Sequence, residues 1–474
     1  MTASVEVIAG ILARSNDRIE WVAARSAAVV PVEMHTRGAV AVVVDAALTH
    51  CPLAWSIPAT GPDQLLDDAV GMPGFTSSVR AAVGDHALDW DTPVLAAAWA
   101  HLAEVIAVRR WLPRPMNEAI LELDQALAAT QAGDCDALTR LLPMADTTLD
   151  DLVDYCRSDN RPSAVTERVV ELLKATSTPE RPSQYLAAIA SLTIGNAVAD
   201  ETLIHALAQW GGYDADHQRS NIALHAGETQ TTSTASDADL LGYAAIDPIL
   251  VPARVFEWRG ADVPELRLAR TSDPDRVTLT ARLAAHCDPF SEEAENLLAF
   301  ATDAHSGHLI SVSPMTVMND LSALTAAMSC QGHPPANLRF GVTSADTLVD
   351  TTRTDLTGRT LVRADRLMLQ AWAAVRHAAT ILQLAAPDPV ALATAEYAAT
   401  ALRQQARSDA SAANYALRVL ARDMDHADPR LVHLDARSDA IREFVNRKLT
   451  APVSSVDALT LAELLPPQSA DTAL

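Results

Sequence analysis

The spacing of apolar residues changes twice along this chain, and that change limits the folds open to it more than any other feature. Up to about residue 215 the period is helical. In "DWDTPVLAAAWAHLAEVIAVRRW" the residues Leu95, Trp99, Leu102 and Ile106 recur at four and three, which makes one stripe of a helix. Asp91 or Thr92 can cap it, with Pro93 in the first turn. A second helix is predicted over 116–131, ended by Gly133 in a left-handed conformation, and "QAGDCDALTRLL" reads as the turn of an antiparallel helix pair. Helical stretches follow over 163–175, 183–197 and 200–210, the last stopped by Gly211 and Gly212. No fixed period with recurring anchors relates them, as an array of helix pairs would require. The valine-rich stretch 37–53 is compatible with either a strand or a helix.

Residues 226–239, "AGETQTTSTASDAD", are polar, short-sided and aperiodic, and a linker is expected over 216–247. The period then falls to two. In "RVTLTARL" Val277, Leu279, Ala281 and Leu283 alternate with Thr278, Thr280 and Arg282, a strand with one dry face and one wet one. "NLRFGVTS" repeats this through Leu338, Phe340 and Val342, and "ARVFEW", "ELRLAR", "LSALTAAM" and the flanks of Gly307 are further candidates. About seven short strands in about a hundred residues, broken by "RGADVP", "TSDPD" and "QGHPPAN", predict an antiparallel β-sandwich over 248–345. Its likeness to immunoglobulin-like modules is one of architecture and licenses no function.

After a second linker over 346–360 the helical stripe returns with Met368, Trp372, Val375, Ala379 and Leu382. Asp388 and Pro389 supply a cap and a first-turn proline for the next helix. Helical patterns continue to 465, and 466–474 reads as a tail. The expected fold class is therefore α+β and multidomain: a mainly helical region over 1–215, a central antiparallel sandwich, and a helical region over 361–465.

Charge and residue usage narrow the chemistry. Sixty acids against 36 bases give a net charge of -24, a field that repels phosphate backbones and anionic membrane surfaces. Nucleic acid and membranes are thus not the expected partners. Lysine occurs only at Lys174 and Lys448, neither in a glycine-rich loop, so a Schiff-base or phosphate-loop lysine has almost no candidate. The five cysteines are scattered without a C-x-x-C pair, which fits a reducing cytoplasm. The N-terminal stretch has no basic leader, and "GAVAVVVDAAL" is too short to span a bilayer and carries Asp45.

Ligand-type residues crowd in two places. The first is "FATDAHSGHLIS", with Asp303, His305 and His308. A three-residue loop of His305, Ser306 and Gly307 sets Phe300 opposite Val312 and Thr302 opposite Ile310, aligning the larger apolar residues. In that register the three polar side chains do not converge, so a hairpin tip is preferred to a metal site. The second is "DMDHADPRLVHLD", where Asp423, Asp425 and His426 are candidate metal ligands at a predicted helix C-terminus. Against this, Asp428 before Pro429 is an ordinary helix cap, with His433 and Asp435 then riding on the helix surface. Signatures such as G-x-S-x-G, H-E-x-x-H, G-x-x-x-x-G-K and G-x-G-x-x-G are missing. The expectation is a cytoplasmic interaction, scaffold or regulatory protein with a protein partner and no cofactor. The alternative is a metal-dependent hydrolase that binds a divalent cation through Asp423, Asp425 and His426.

Overall fold

The structure, a computed structural model, describes residues 10–176, 240–345, 356–450 and 459–465, apart from short stretches within them. The expectation of a mainly helical N-terminus fails at its start. Strands β1 (Gly10–Ser15), β2 (Arg18–Ala23), β3 (Pro31–His35), β4 (Ala41–Asp45) and β5 (Pro52–Pro58) precede helices α1 (Gln64–Val70) and α2 (Phe75–Ala82). With the short β6 (Ala87–Leu88) they form one antiparallel sheet in the order β3-β4-β5-β2-β1-β6. The alternation is present: Ile19, Trp21 and Ala23 are buried along β2, and Val32 and Met34 along β3. Runs of five or six residues are shorter than the window that fixes a period, which is why a helical reading survived there. Within the ambiguous stretch 37–53, residues 41–45 form β4, in which Ala41, Val42, Val44 and Asp45 are buried.

Trp21 and Trp55 face each other across β2 and β5 and stack at 5.9 Å, and Phe75 of α2 meets Trp55 edge-on at 6.0 Å. Asp45, at the end of β4, is buried. Its carboxylate accepts the backbone N–H groups of Val29, Val30 and Ala47 at 2.7–2.9 Å, tying the approach to β3 onto β4. Burial raises its pKa despite these bonds.

Helices α3 (Ala97–Trp111), α4 (Glu118–Gln131), α5 (Ala137–Arg157) and α6 (Ser163–Thr176) follow. Asn117 caps α4 by accepting the Ile120 N–H, and Gly133 after it has φ +107°. The cap expected from Asp91, Thr92 and Pro93, and the helices expected over 183–197 and 200–210, lie outside the described residues.

The next elements are β7 (Leu240–Ala245), β8 (Glu265–Arg270), β9 (Arg276–Arg282), the single turn α7 (Glu292–Glu295), β10 (Leu297–Asp303), β11 (Leu309–Pro314), β12 (Thr316–Val317), β13 (Ala323–Ser329) and β14 (Leu338–Ser344). β7 begins inside the stretch read as a linker, and "ARVFEW" supplies only an isolated bridge from Phe256 to Leu283. Two antiparallel sheets result, β11-β10-β14 and β12-β13-β9-β8-β7. Leu266, Val277, Leu279 and Ala281 of one share a single buried cluster with Leu297, Ala299, Ala301, Phe340 and Val342 of the other.

The hairpin at Gly307 forms, with φ +73° at that glycine and Phe300 paired with Val312. A bulge between Ala301 and Thr302 then places Thr302 opposite Leu309 rather than Ile310. Phe300 also pairs with Gly341 on its other side and lays its ring over that glycine. A Cβ at position 341 would stand 2.8 Å from Phe300 Cε1. Gly341→Ala is therefore expected to lower stability by about 1–3 kcal/mol, the usual cost of overpacking, and a chemical denaturation curve reads it directly. An unchanged midpoint would mean that the ring is free to move.

Helix α8 (Leu356–Ala385) starts inside the expected second linker. Asp388 and Pro389 open α9 (Pro389–Arg422) as the sequence predicts, the Asp388 carboxylate accepting the Val390 N–H. An alanine seam, Ala391, Ala395, Ala399, Ala406, Ala410 and Ala413, is buried along α9. Helix α10 (Arg430–Phe444) runs on as a π-type turn over Val445–Leu449, and α11 (Leu461–Leu464) is one turn long. Among the described residues no helix is long and apolar enough to cross a membrane.

The chain resolves into two compact units. One joins Met1–Arg109, Met116–Ala208 and Met368–Pro466; the other joins Arg110–Pro115, Gln209–Leu367 and Pro467–Leu474. The N-terminal strands and helices thus share a unit with the C-terminal helices.

Candidate functional site

In the sheet unit, Met315 marks where one run of chain changes sheets. Up to Pro314 it pairs with β10, through Ala299↔Ser313 and Leu298↔Pro314. From Thr316 it pairs with β13, through Thr316↔Thr325 and Val317↔Leu324. Continued backward, that second register would set Pro314 opposite Ala327. Proline has no N–H for such a ladder, so the pairing stops and β11 leans away onto β10. A notch of about 500 Å³ is left between β11 and β13, lined by residues 309–313 with Arg276, Ala327, Ser329 and Gln331.

The alternation of an antiparallel ladder determines which groups face this notch. Met315 N–H donates to Leu297 O at 2.9 Å, so Ser313 and Ser311 bond toward β10 while Val312 turns its N–H and C=O outward. Met318 N–H donates to Ala323 O at 2.9 Å, which places Ala327 and Ser329 on the notch side of β13. At one end the gap is bridged: Ser311 Oγ donates to Ser329 O at 2.8 Å, and Gln331 Nε2 to Ile310 O at 2.7 Å. Ser311 and Ser313 share the inner face with Ala301 and Ala299. Leu309 and Val312 lie on the outer face and are 53% and 46% exposed. The notch is therefore walled by hydroxyls, rimmed by apolar side chains and edged by backbone.

The helical unit holds a second concentration of chemistry that is almost wholly buried. Arg376 of α8 grips Glu463 of α11 with two parallel bonds, Nε to Oε1 at 2.6 Å and Nη2 to Oε2 at 2.7 Å, and Nη1 lies 3.8 Å from Glu104 of α3. Arg376 is 2% exposed and Glu463 0%. The Trp372 ring lies 5.6 Å from the guanidinium. Arg168 of α6 donates to Leu459 O at 2.9 Å, and Asp124 of α4 accepts the Ala462 N–H at 2.9 Å. His101 Nε2 sits 3.4 Å from Arg168 Nη2, and among the described residues its Nδ1 has no hydrogen-bond partner. Next to an arginine donor, Nε2 must accept, so the proton resides on Nδ1. Burial, reinforced by Arg168 and Arg376, pulls the His101 pKa down to about 4. Burial pushes Asp124 up to about 7, against the pull of the Ala462 and Leu461 N–H groups.

The residues singled out from sequence fall elsewhere. Asp303 accepts the N–H groups of His305 and Ser306 and the Ser306 hydroxyl, which draw its pKa down to about 2; His305 and His308 are exposed. This is the hairpin turn. Asp423 closes α9 and accepts from Arg422 Nε at 3.3 Å, while Asp425 accepts the Ala427 N–H at 3.0 Å. His426 lies outside the described residues. Asp428 caps α10 through the Arg430 N–H and binds the Arg430 side chain, which holds its pKa near 2. His433 and Asp435 are exposed on that helix. Among the described residues no three of His, Cys, Asp and Glu gather as a metal site. Trp99, Trp111 and Trp372 are buried, and Trp210 and Trp258 lie outside the described residues.

Sequence reasoning passed over Arg376 and Glu463, although a signal existed: Thr460-x-x-Glu463 before leucines is a capping-box pattern, and the box forms. Comparison of the chain with protein-family models, with curated proteins and with solved structures found no match.

Proposed function

We propose that this chain is an interaction protein of scaffold or regulatory type, and that the β11–β13 notch receives an extended segment of a partner protein by strand addition. One observation carries the reading: between the Thr316–Thr325 pair and the Ser311–Ser329 bridge the two strand edges part and turn the backbone groups of Val312 and Ala327 into the gap. Exposed edges are usually blunted by charge, by lysine or by proline. β11 has only Pro314, at its end, and no charged residue. Main-chain bonds to such an edge provide affinity, and alternate side chains provide selectivity. The fitting partner strand is small or polar where it faces Ser311, Ser313 and Ser329, and apolar where it lies beside Leu309 and Val312. The central antiparallel sheets, in this reading, form a sandwich module that presents the edge, and the protein works in the cytoplasm.

A photoreactive benzophenone side chain at position 312 tests this in cells. It is expected to capture a defined protein partner that the same group at the exposed Val432 does not capture. Val312→Pro, which deletes the outward N–H, should weaken that partner's binding by about tenfold, the equivalent of one lost hydrogen bond of ordinary strength. Equal capture at both positions would mean that the notch is not the partner's binding site.

A further inference from the structure

Leu459–Leu465 is held the way a receptor holds a peptide. Its single helical turn cannot satisfy its own backbone, and the surrounding helices do so with side chains: Arg168 caps the Leu459 carbonyl, and Asp124 takes the Ala462 N–H. Leu459, Leu461, Ala462, Leu464 and Leu465 are all buried. The one carboxylate of the segment, Glu463, enters a bidentate grip from Arg376, and its Oε2 also accepts the Thr460 N–H and hydroxyl at 2.9 and 3.0 Å. Glu104 and Trp372 brace Arg376 from the receptor side. A buried ion pair contributes little net stability compared with apolar packing, but it strongly rejects a segment that lacks the matching charge.

We propose that this groove, formed by α3, α4, α6 and α8, is a peptide-binding site that the chain fills with its own segment. It accepts from another protein a segment of the same chemistry: leucines flanking a hydroxyl and a carboxylate three residues apart. The internal copy competes with external ligands at high effective concentration, so the groove opens to them only when that copy is displaced. This site is distinct from the sheet notch and does not depend on it.

The probe is a fluorescent peptide of residues 458–467, ALTLAELLPP, added to the full-length chain. The wild-type chain is expected to bind it weakly. A chain carrying Leu461→Asp and Leu464→Asp, which expel the internal segment, should bind it at least about tenfold more tightly. Two controls identify the grip: the peptide carrying Glu463→Gln, and the expelled chain carrying Arg376→Ala as well, should each lose at least about tenfold in affinity. Circular dichroism on the same samples reports the fold. If the expelled chain binds no peptide, whether it keeps its helical signal or loses it, the segment is integral core and the proposal is wrong. Equal binding of the Glu463 and Gln peptides would overturn it too.

Discussion

Arg376→Ala is expected to lower the unfolding free energy by about 3–5 kcal/mol, because it leaves Glu463 ionised, fully buried and without its counter-charge. The cost arises from the orphaned carboxylate more than from lost attraction. Removing the carboxylate charge as well, Arg376→Met with Glu463→Gln, which keeps an acceptor for the Thr460 N–H while Glu104 stays beside the vacated position, should therefore recover part of the loss. Urea denaturation of the two variants beside the wild type decides the matter. A single substitution costing under about 1 kcal/mol would mean that water reaches the pair, as at a surface ion pair. The pair would then not be what holds the C-terminal segment in register.

The pH dependence of stability should be nearly flat between about 4 and 6.5 so far as Asp124 and His101 are concerned, and each single substitution should expose a slope of opposite sign. Asp124 is raised by burial from its ordinary 3.8 to about 7. Below about 4 it is protonated folded or unfolded and imposes no penalty; above about 7 it is ionised in both states and the full burial cost is present. Its contribution therefore falls as pH rises through that window. His101 is lowered from 6.5 to about 4, by burial first and then by Arg168 and Arg376. Neutral above 6.5 in both states, it costs nothing there, and the penalty grows as pH falls toward 4. Across the shared window the folded chain keeps on Asp124 the proton that the unfolded chain keeps on His101. In Asp124→Asn the difference from wild type, which is the loss of the Asp124 contribution, should rise with pH by roughly 3–4 kcal/mol between 4 and 7. In His101→Gln the difference, which is the loss of the His101 contribution, should fall with pH by roughly 2–3 kcal/mol between 4 and 6.5, after discounting His101 for its partial exposure. Comparing each variant with wild type at every pH cancels the remaining titrating groups. Two variants with parallel curves would show that neither shift exists.

Much of the helical and strand content was legible because long stripes and clean alternation leave little choice. The Asp388–Pro389 start of α9, the Gly133 stop after α4 and the Gly307 hairpin each follow from a residue whose conformational preference acts locally. The N-terminal sheet was not legible, since its strands are short and alanine and valine fit either period. The bulge at Ala301/Thr302 is a choice of the ladder and has no marker in the sequence.

Site chemistry was the least legible, for a physical reason. The acidic clusters that attract attention in sequence, at Asp303 and at Asp428, are local caps whose partners lie two or three residues away. The groups that meet over long range, Glu104, Asp124, Arg168, Arg376 and Glu463, come from five separate helices. Only the fold brings them together. The notch is half legible: Pro314 in a strand pattern argues for an edge, but the split between β10 and β13 appears only in three dimensions.

In the proposed complex a partner strand joins the notch edges through main-chain bonds. Amide hydrogen exchange of the full chain, alone and saturated with the partner captured through position 312, tests it most directly. The Val312 and Ala327 amides, which point into the gap, should exchange quickly in the free chain and become strongly protected in the complex. The amides of Ser311 and Ser313, already bonded to β10, should change little. Protection that appears elsewhere while Val312 and Ala327 continue to exchange at their free rates would contradict strand addition.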